Sequence, residues 1–540
     1  MSEKNQAALA SHGISPAPDP RGDIPADPTS AAPILPYVEI RPVLSGMARE
    51  IGTILATNGV FTRQRAACTI TDEGRILAMT PRRLRTYIED HLVTYRWECP
   101  KPKEFVQKPQ TITVEAAATI LESDAFLTRQ RDLSRVATIR QPALRPDGRI
   151  ELLPYGYDVL SGTLTLNRCI DYRLDLPLDE ARTILRRLLG EFPFGDRRST
   201  GLSRDEAIVV AGLLSIYGAA LQKPTGRRMN FMFSSNSVGS GKTLLAQLCI
   251  LITQGFCDVQ PVPETEENFR KILDTESLAG SPYILFDDCN GFFRSAILNA
   301  FLTAPSWSGR LMHSQSKFSV PKLASVFLTG NNLEVSPDVS RRFLHCKMMT
   351  DEADPQSRRI QHVISDEWLE DPAHRGQILS ALWAIVRDWD QAGRPPGTRT
   401  IRGFEQWCNL FAGMVEFAGF GDPLEPLPVE EGGNSEFADM VALIGELAQG
   451  VEDRAEFTFG AIVEAARAKN CFTWMLEGKE ISEGKDGPSR YVLTAKANSK
   501  FGKLLSEQYG GKKFILPNGK KVRWDERGKK RGKSYILEIL

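Results

Sequence analysis

A glycine-rich loop between a strand-like and a helix-like segment is the feature that most constrains this chain. RRMNFMFSS, residues 227–235, alternates apolar residues as a strand does, and SNSVGSGKT then leads into the apolar helix KTLLAQLCILIT. In such an arrangement the loop N–H groups converge on a phosphate, and the helix N-terminus adds positive potential. The segment therefore predicts a parallel α/β sheet carrying a nucleotide site.

The loop residues have distinct expected tasks. Lys242 is expected to reach the β- and γ-phosphates, and the Thr243 hydroxyl to ligate Mg²⁺. Asn236 stands where the pattern GxxxxGK[ST] has its first glycine, and Asn is one of the few other residues that tolerate the left-handed region. The alternative interpretation is a Gly/Ser turn followed by a chance Lys-Thr. The predicted nucleotide contacts are Asn236, Gly239, Ser240, Gly241, Lys242 and Thr243.

A second motif, SPYILFDDCNG, ends a buried-type strand in two carboxylates. Residues 283–286 form a short apolar run, and Asp287 and Asp288 follow it. Ligands of parallel sheets bind at the carboxyl ends of the strands. We expect Asp287 to hold Mg²⁺ and Asp288 to orient or deprotonate the attacking water. By itself an apolar run followed by acids often marks only the end of a strand.

A third motif, LASVFLTGNNLEVSPDVSRRFL, ends another strand of this kind in polar residues. Asn331, with Asn332 as the alternative, is placed to hydrogen-bond the γ-phosphate and the attacking water. Arg341 and Arg342 follow on a turn from which an arginine can reach a neighbouring subunit's phosphate. The alternative for both arginines is a surface salt-bridge turn.

These three motifs in order resemble an AAA+ ATPase of the helicase superfamily 3 type, and more closely the primase-helicase and replication ATPases of phages, prophages and mobile elements. Gly241, Lys242 and Thr243 match Walker A, and Asp287 with Asp288 match Walker B. Asn331 matches sensor 1, and the paired arginines match the arginine-finger position. The sequence departs from the family at Asn236 and in having Asp288 where the family has a second, longer Walker B acid.

The resemblance implies an α/β P-loop core with a parallel sheet and a helical lid. It also implies ATP and Mg²⁺ as ligands, DNA as a partner, either single-stranded or forked, and self-association into a ring, expected to be a hexamer. A primase or another replication protein is a further implied partner. The stretches PALRPDGRIELLPYGYD and GQILSALWAIVRDWDQAGRPP resemble segments that flank the motor in such proteins.

The sequence SGRLMHSQSKFSVPK, residues 308–322, is typical of two short strands with a polar tip. In superfamily 3 motors a hairpin in this place carries a Lys and a His against DNA in the central pore. The resemblance makes His313 and Lys317 the matching residues, with Arg310 in support. The alternative is a solvated hairpin face.

The C-terminal residues predict a winged-helix domain. Phe501, Leu504, Leu505 and Tyr509 recur at helical spacing after a Ser499 cap, and KFILPNGKKVRW predicts a hairpin. The cluster of basic residues on the expected wing suits phosphate contacts, whereas the alternative is a solubilising tail. The predicted DNA contacts here are Lys520, Lys521, Arg523, Lys529, Lys530 and Arg531.

Composition and local pattern set the expected organisation. Lys plus Arg and Asp plus Glu both number 67, so only local patches argue for nucleic acid. Scattered cysteines without a CxxC pair and a polar N-terminus predict a cytoplasmic protein without a membrane partner. The expected segments are a disordered tail (1–32), an N-terminal α+β domain (33–170), a helical connector (171–226), an AAA+ core (227–350), a helical lid (351–425), a linker (426–436) and a winged-helix domain (437–540).

We therefore expect an ATP-dependent, ring-forming DNA helicase or replication ATPase of a mobile genetic element. Two hypotheses of other classes stay open. One is a nucleotide-gated DNA-binding regulator or loader that hydrolyses ATP without unwinding. The other is a defence or signalling ATPase that does not act on nucleic acid.

Overall fold

A computed structural model describes residues 35–540 apart from several internal positions. These positions are residues 103, 168–169, 196–202, 238, 290–291, 294, 311–316, 332, 336–338, 340, 350–362, 427–434, 474, 483–488, 517–519 and 528–533, with the side chains of 292–293, 334–335, 435–438, 480–482, 489–490, 507–508 and 515. The expected tail and most of the expected linker lie outside the described residues. The chain divides into two compact units, Met1–Val136 with Tyr157–Leu164 and Ala137–Gly156 with Thr165–Leu540.

The first unit packs helices against two small sheets. Its core joins Met47 and Ile51 of the first helix to Ile88 and Ile120. One sheet has the strand order β1-β5-β6, and the other has the order β4-β3-β2-β7. The elements are β1 (Tyr37–Glu39), α1 (Leu44–Thr57), β2 (Phe61–Arg63), β3 (Ala66–Ile70), β4 (Ile76–Ala78), α2 (Pro81–His91), β5 (Val93–Lys101), β6 (Glu104–Pro109), α3 (Val114–Glu122), α4 (Asp124–Leu127) and β7 (Arg131–Asp132).

The segment FTRQRAACTITDEGRILAMT, residues 61–80, forms three strands. Strands β2 and β3 pair antiparallel around Gln64 and Arg65, whose φ angles are 52° and 63°. Two-residue hairpin loops with positive φ usually carry Asn-Gly or Asp-Gly. Because neither residue here is glycine or asparagine, the local sequence does not announce this turn.

Five short strands follow in residues 135–165. They are β8 (Arg135–Ala137), β9 (Pro142–Leu144), β10 (Ile150–Leu152), β11 (Gly156–Asp158) and β12 (Thr163–Thr165). Strands β9 and β10 of the second unit form an antiparallel pair.

The second unit alternates helices and strands as far as residue 348. These elements are α5 (Leu178–Leu189), α6 (Arg204–Tyr217), a 3₁₀ turn (Ala219–Leu221), β13 (Asn230–Ser235), α7 (Lys242–Gln254), β14 (Val259–Pro261), α8 (Glu266–Ala279), β15 (Tyr283–Asp287), β16 (Phe292–Phe293), α9 (Ala296–Thr303), β17 (Ser306–Arg310), β18 (Lys317–Pro321), β19 (Ser325–Asn331), β20 (Glu334–Val335) and β21 (Phe343–Met348).

Helices then dominate before a final mixed region. These elements are α10 (Asp366–Glu370), α11 (Pro372–Gln391), α12 (Glu405–Trp407), a π-helix (Cys408–Ala412), α13 (Gly413–Phe417), α14 (Ser435–Leu447), β22 (Arg454–Thr458), α15 (Phe459–Ala468), β23 (Gly478–Ser482), β24 (Ser489–Leu493), α16 (Ala495–Lys503), a π-helix (Leu504–Gln508), β25 (Lys513–Ile515), β26 (Lys521–Arg527) and β27 (Ser534–Ile539). Within the described residues, no helix is both long and apolar enough to cross a membrane.

A parallel sheet organises the second unit. In the described part of the chain its strand order is β14-β15-β19-β13-β21. Along β13, Phe231 and Phe233 belong to one hydrophobic cluster and Met232 to another. Because successive side chains of a strand point to opposite faces, the sheet is covered on both faces, which accounts for its near-continuous apolar strands.

The apolar segment 207–221 lies in the interior, as the sequence predicts. Twelve of the residues of α6 are buried, and the indole Nε1 of Trp407 donates a hydrogen bond to Ser215 Oγ at 2.9 Å. Ser215 is thus an internal anchor for the π-helical segment that follows α12.

Residues 440–539 build a separate hydrophobic cluster around Phe501, Trp524 and Tyr535. The sheet there has the order β22-β27-β26-β25, and its strand β22 is not predicted by the sequence pattern. Helix α16 begins earlier than expected, because Thr494 rather than Ser499 caps it and accepts a hydrogen bond from the Ala497 N–H.

Candidate nucleotide site

The loop between β13 and α7 leads the chain from a fully buried strand into a helix that begins at Lys242. Gly239 and Gly241 have φ angles of 79° and 90°, in the left-handed region that favours glycine. Gly241 is the N-cap of α7 and supplies no side-chain cap. The N–H groups of the first helical turn are therefore left for another acceptor, and they suit an anion.

Asn236 is expected to tolerate a left-handed backbone angle, but its φ is not positive. Among the described residues with positive φ, this loop contributes Gly239 and Gly241 but not Asn236. The backbone angle at the first position of the loop therefore does not require glycine. The departure from the GxxxxGK[ST] pattern is conformationally neutral, and the side chain of Asn236 is exposed.

Several polar groups of this loop are buried, and a bound anion would stabilise them. Lys242 is only 9% exposed at the positive end of a helix, where a cation is unfavourable. Within the described residues, the Oγ atoms of Ser237 and Ser240 are buried without a hydrogen-bond partner. Unpaired buried polar groups are costly in free energy, so these atoms fit a loop that closes around a phosphate.

Strand β15 brings Asp287 to the start of α7. Thr243 Oγ1 donates a hydrogen bond to Asp287 Oδ1 at 2.7 Å. Thr329 Oγ1 on the adjacent strand β19 donates to the same oxygen. A hydroxyl and a carboxylate at this distance fit Mg²⁺, which takes one or two carboxylates together with substrate phosphates and waters. The local sequence does not predict a role for Thr329, because only the register of β15 against β19 brings its hydroxyl to Asp287.

Asp288 follows in a different conformation. Its φ is 53°, in the left-handed region, and its side chain is exposed. Its N–H donates to Thr329 Oγ1 at 3.3 Å. A non-glycine residue in this region is uncommon and is held there by its surroundings. The strained turn points the two adjacent carboxylates to different surroundings, one paired with hydroxyls and one open to solvent.

Asn331 ends strand β19 beside the loop. It lies in register with Ser235, the last residue of β13, and its Oδ1 is buried without a partner among the described residues. The neighbouring Gly330 has no room for a side chain, because a Cβ there would lie 2.2 Å from the Cys289 carbonyl oxygen. This close approach fixes the end of β19 against the turn that carries Asp288. Asn332, the alternative, lies outside the described residues.

The two arginines after β19 have different surroundings. Arg342 Nη1 donates to the Asn299 backbone oxygen at 2.5 Å and to Asn299 Oδ1 at 3.0 Å. Its carbonyl accepts a hydrogen bond from Asn230 Nδ2 at 3.1 Å. Arg341 is exposed. Arg342 therefore has a structural role within the chain, and Arg341 is the exposed member of the pair.

The segment 306–321 is an antiparallel hairpin of β17 and β18. Arg310 and Lys317 form the last pair of the ladder before the tip, and both are exposed. His313 and the rest of the tip lie outside the described residues. The hairpin is anchored to α8, because Trp307 Nε1 donates to Asp274 Oδ1 at 2.6 Å and the Arg270 guanidinium lies 4.5 Å from the centre of the Trp307 ring.

Basic residues line the outer face of β25 and β26. Lys521 and Arg523 are exposed on β26, whereas Val522 and Trp524 between them are buried. Lys513 lies directly opposite Arg523, whose Nη2 donates to Asp525 Oδ2 at 3.4 Å. Lys520 precedes the strand and is also exposed. Lys529, Lys530 and Arg531 lie outside the described residues.

No family model matches the chain, and no curated protein matches it. Among solved structures the chain is similar to the A form apo structure of the NrS-1 C-terminal region, residues 305–718. The identity is 11%, the match covers 83% of this chain and 100% of that one, and the TM-score is 0.36. A TM-score of this size carries no inference about fold or function.

Proposed function

We propose that this protein is an ATP-dependent DNA motor, a ring-forming helicase or replication ATPase with an AAA+ core. The observation that carries the proposal is the hydrogen bond of 2.7 Å between Thr243 Oγ1 and Asp287 Oδ1, next to Lys242 at the same edge of a parallel sheet. If this loop were only a Gly/Ser turn, a carboxylate on another strand would not be expected to accept a hydrogen bond from its threonine.

The residues divide the chemistry of ATP hydrolysis among them. Lys242 and the N–H groups that begin α7 would hold the phosphates. Thr243 and Asp287 would hold Mg²⁺, which neutralises developing charge on the phosphoryl oxygens. Asp288 is exposed beside this pair and would orient or deprotonate the water. Asn331 Oδ1 would fix the other side of that water.

A ring would complete the site. Arg341 is exposed and lies beyond the end of β19. An arginine donated by a neighbouring subunit stabilises the charge of the transition state. The proposal therefore includes self-association, expected as a hexamer.

DNA would be contacted in two places. The hairpin residues Arg310 and Lys317 suit a contact with DNA in a central pore. The contacts of Trp307 with Asp274 and Arg270 would hold the hairpin in position. The exposed row of Lys513, Lys521 and Arg523 suits the phosphate backbone, and it belongs to the region that we propose as a winged helix.

The test compares ATP turnover in matched variants. Lys242→Ala should abolish hydrolysis and most nucleotide binding, because the loop loses its cation on the phosphates. Lys271→Ala removes a lysine from the exposed face of α8, where it pairs with Glu267 at 2.9 Å, and should leave turnover unchanged. Normal turnover in Lys242→Ala protein would remove the proposed site.

A further inference from the structure

An outward-facing row of aromatic rings lies on the sheet β1-β5-β6 of the first unit. Val38 and Thr94 point to the core and are buried. Tyr37, Tyr95 and Trp97 point the other way, because alternate residues of a strand face opposite sides. Their ring centres are spaced 6.1 Å from Tyr37 to Tyr95 and 5.8 Å from Tyr95 to Trp97.

Two of these rings are open to solvent, and the third, Tyr95, is partly buried. Tyr37 is 59% exposed and Trp97 is 48% exposed. Beyond Tyr95 the strands β5 and β6 continue as a two-stranded ribbon whose described residues are all exposed, including Phe105 at 68%. Exposed aromatic surface of this extent is a sign of a binding site.

The charge around the rings favours a polyanion. The ribbon sequence RWECPKPKEFVQKP, residues 96–109, has four basic residues and two acidic ones. Lys108 pairs with Glu98 at 3.0 Å on the face of the ribbon opposite Trp97, and Lys101 pairs with Glu104 at 3.8 Å, in each case with more than half of both side chains exposed. Ion pairs this exposed contribute little to stability, so both lysines can exchange a carboxylate for a phosphate.

We infer that this aromatic face is a binding site for single-stranded DNA, separate from the motor. The rings are inclined to one another, by 58° between Tyr37 and Tyr95 and by 87° between Tyr95 and Trp97. Unpaired bases would therefore stack singly on the exposed rings of Tyr37 and Trp97, without regard to sequence, while nearby lysines follow the backbone. Duplex DNA does not offer its base faces, so the site should prefer single strands. None of these residues belongs to the proposed nucleotide site, the hairpin or the C-terminal basic row.

Photo-crosslinking locates the contact directly. Full-length protein is irradiated with an oligothymidine that carries 5-iodouracil, and the crosslinked peptide is identified by mass spectrometry. The expected peptide contains Tyr95 and Trp97. Affinity for the same oligothymidine is measured by fluorescence anisotropy. Loss of one stacking ring should weaken binding by about tenfold in Trp97→Ala and in Tyr37→Ala.

Matched variants exclude indirect effects. Trp97→Phe keeps a ring and should retain most of the affinity, and Tyr155→Ala removes an exposed tyrosine of the second unit and should change nothing. Because Trp97 and Tyr37 are solvent-exposed, the melting temperature should stay the same in all four variants.

Two results that involve Trp97→Ala would overturn the inference. One is crosslinking confined to other regions, with wild-type affinity in Trp97→Ala. The other is an altered oligomeric mass in Trp97→Ala at unchanged affinity for DNA, since the face would then be a protein interface. Absence of any binding to oligothymidine by the wild-type protein would also refute it. Failure of the ATPase proposal would leave this test unaffected, because it requires no ATP.

Discussion

Asp287 and Asp288 are adjacent residues with different surroundings. Asp287 accepts hydrogen bonds from Thr243 and Thr329, and Asp288 is exposed with a φ of 53°. A carboxylate that ligates metal is needed for binding, whereas one that activates water is needed only for the chemical step.

We expect Asp288→Asn to bind ATP with nearly wild-type affinity and to hydrolyse it about a hundredfold or more slowly, because an amide cannot serve as a base. Binding of a fluorescent ATP analogue and release of phosphate measure the two effects separately. Asp287→Asn is the matched comparison and should weaken Mg²⁺-dependent binding itself. Loss of binding in Asp288→Asn would show that its role is structural.

Substitutions of Arg341 and Arg342 should affect different properties of the protein. Arg342→Ala removes the donor to Asn299 and should destabilise the protein by roughly 1–3 kcal/mol, seen as a lower melting temperature. Arg341→Ala should melt like the wild type but lose up to about a thousandfold in ATP turnover. The opposite pattern would assign the transition-state role to Arg342.

At this scale the sequence identifies the residue types of the candidate site but not their partners. The order of the motifs predicts Thr243 and Asp287 at one edge of a sheet. It does not predict the hydrogen bond from Thr329, the left-handed angle at Asp288 or the contact of Arg342 with Asn299. Each of these depends on strand register or on a helix distant in sequence, and local patterns do not encode such pairings.

Among the elements, the hairpin β17–β18 is followed by a buried lysine. Lys322 follows β18, is 1% exposed, and donates from Nζ to the Leu302 carbonyl oxygen at 3.3 Å. Its ammonium lies 5.1 Å from the centre of the Phe301 ring. Burial, with a smaller contribution from the nearby Arg228 charge, lowers the pKa of Lys322 to about 7.

This pKa predicts a pH dependence with a definite sign. The folded pKa of Lys322 lies below the usual value of 10.5, so between these pH values the unfolded chain binds more protons. Stability should therefore rise as pH increases from about 7 towards 10, relative to Lys322→Met, which keeps the volume but does not titrate. Melting temperatures of both proteins at several pH values give the comparison. A difference independent of pH would contradict the assignment.

Elements with strong local signals are predicted best. The helix α1 ends at Thr57, directly before Asn58-Gly59, and the hairpin at residues 306–321 is where its pattern indicates. The turn at Gln64 and Arg65 is missed because its residues carry no turn signal. The Thr494 cap is missed because the apolar spacing that marks the helix begins only after its first turn.

At the scale of the whole molecule, the chain returns to its first unit after leaving it. Residues 157–164 belong to that unit, where Tyr157 packs on Phe61 with ring centres 5.7 Å apart and lies under the Arg131 guanidinium. A boundary drawn along the sequence cannot show such a return, because it is made by contacts between distant segments.

The central claim is that ATP hydrolysis separates DNA strands. The most direct measurement is displacement of a labelled strand from a forked duplex, with and without ATP, by protein whose oligomeric mass is determined in the same buffer. We expect displacement only with hydrolysable ATP, by a ring-sized assembly, and none by Lys242→Ala protein. ATP turnover and DNA binding without strand displacement would contradict it and would instead indicate a nucleotide-gated regulator or loader.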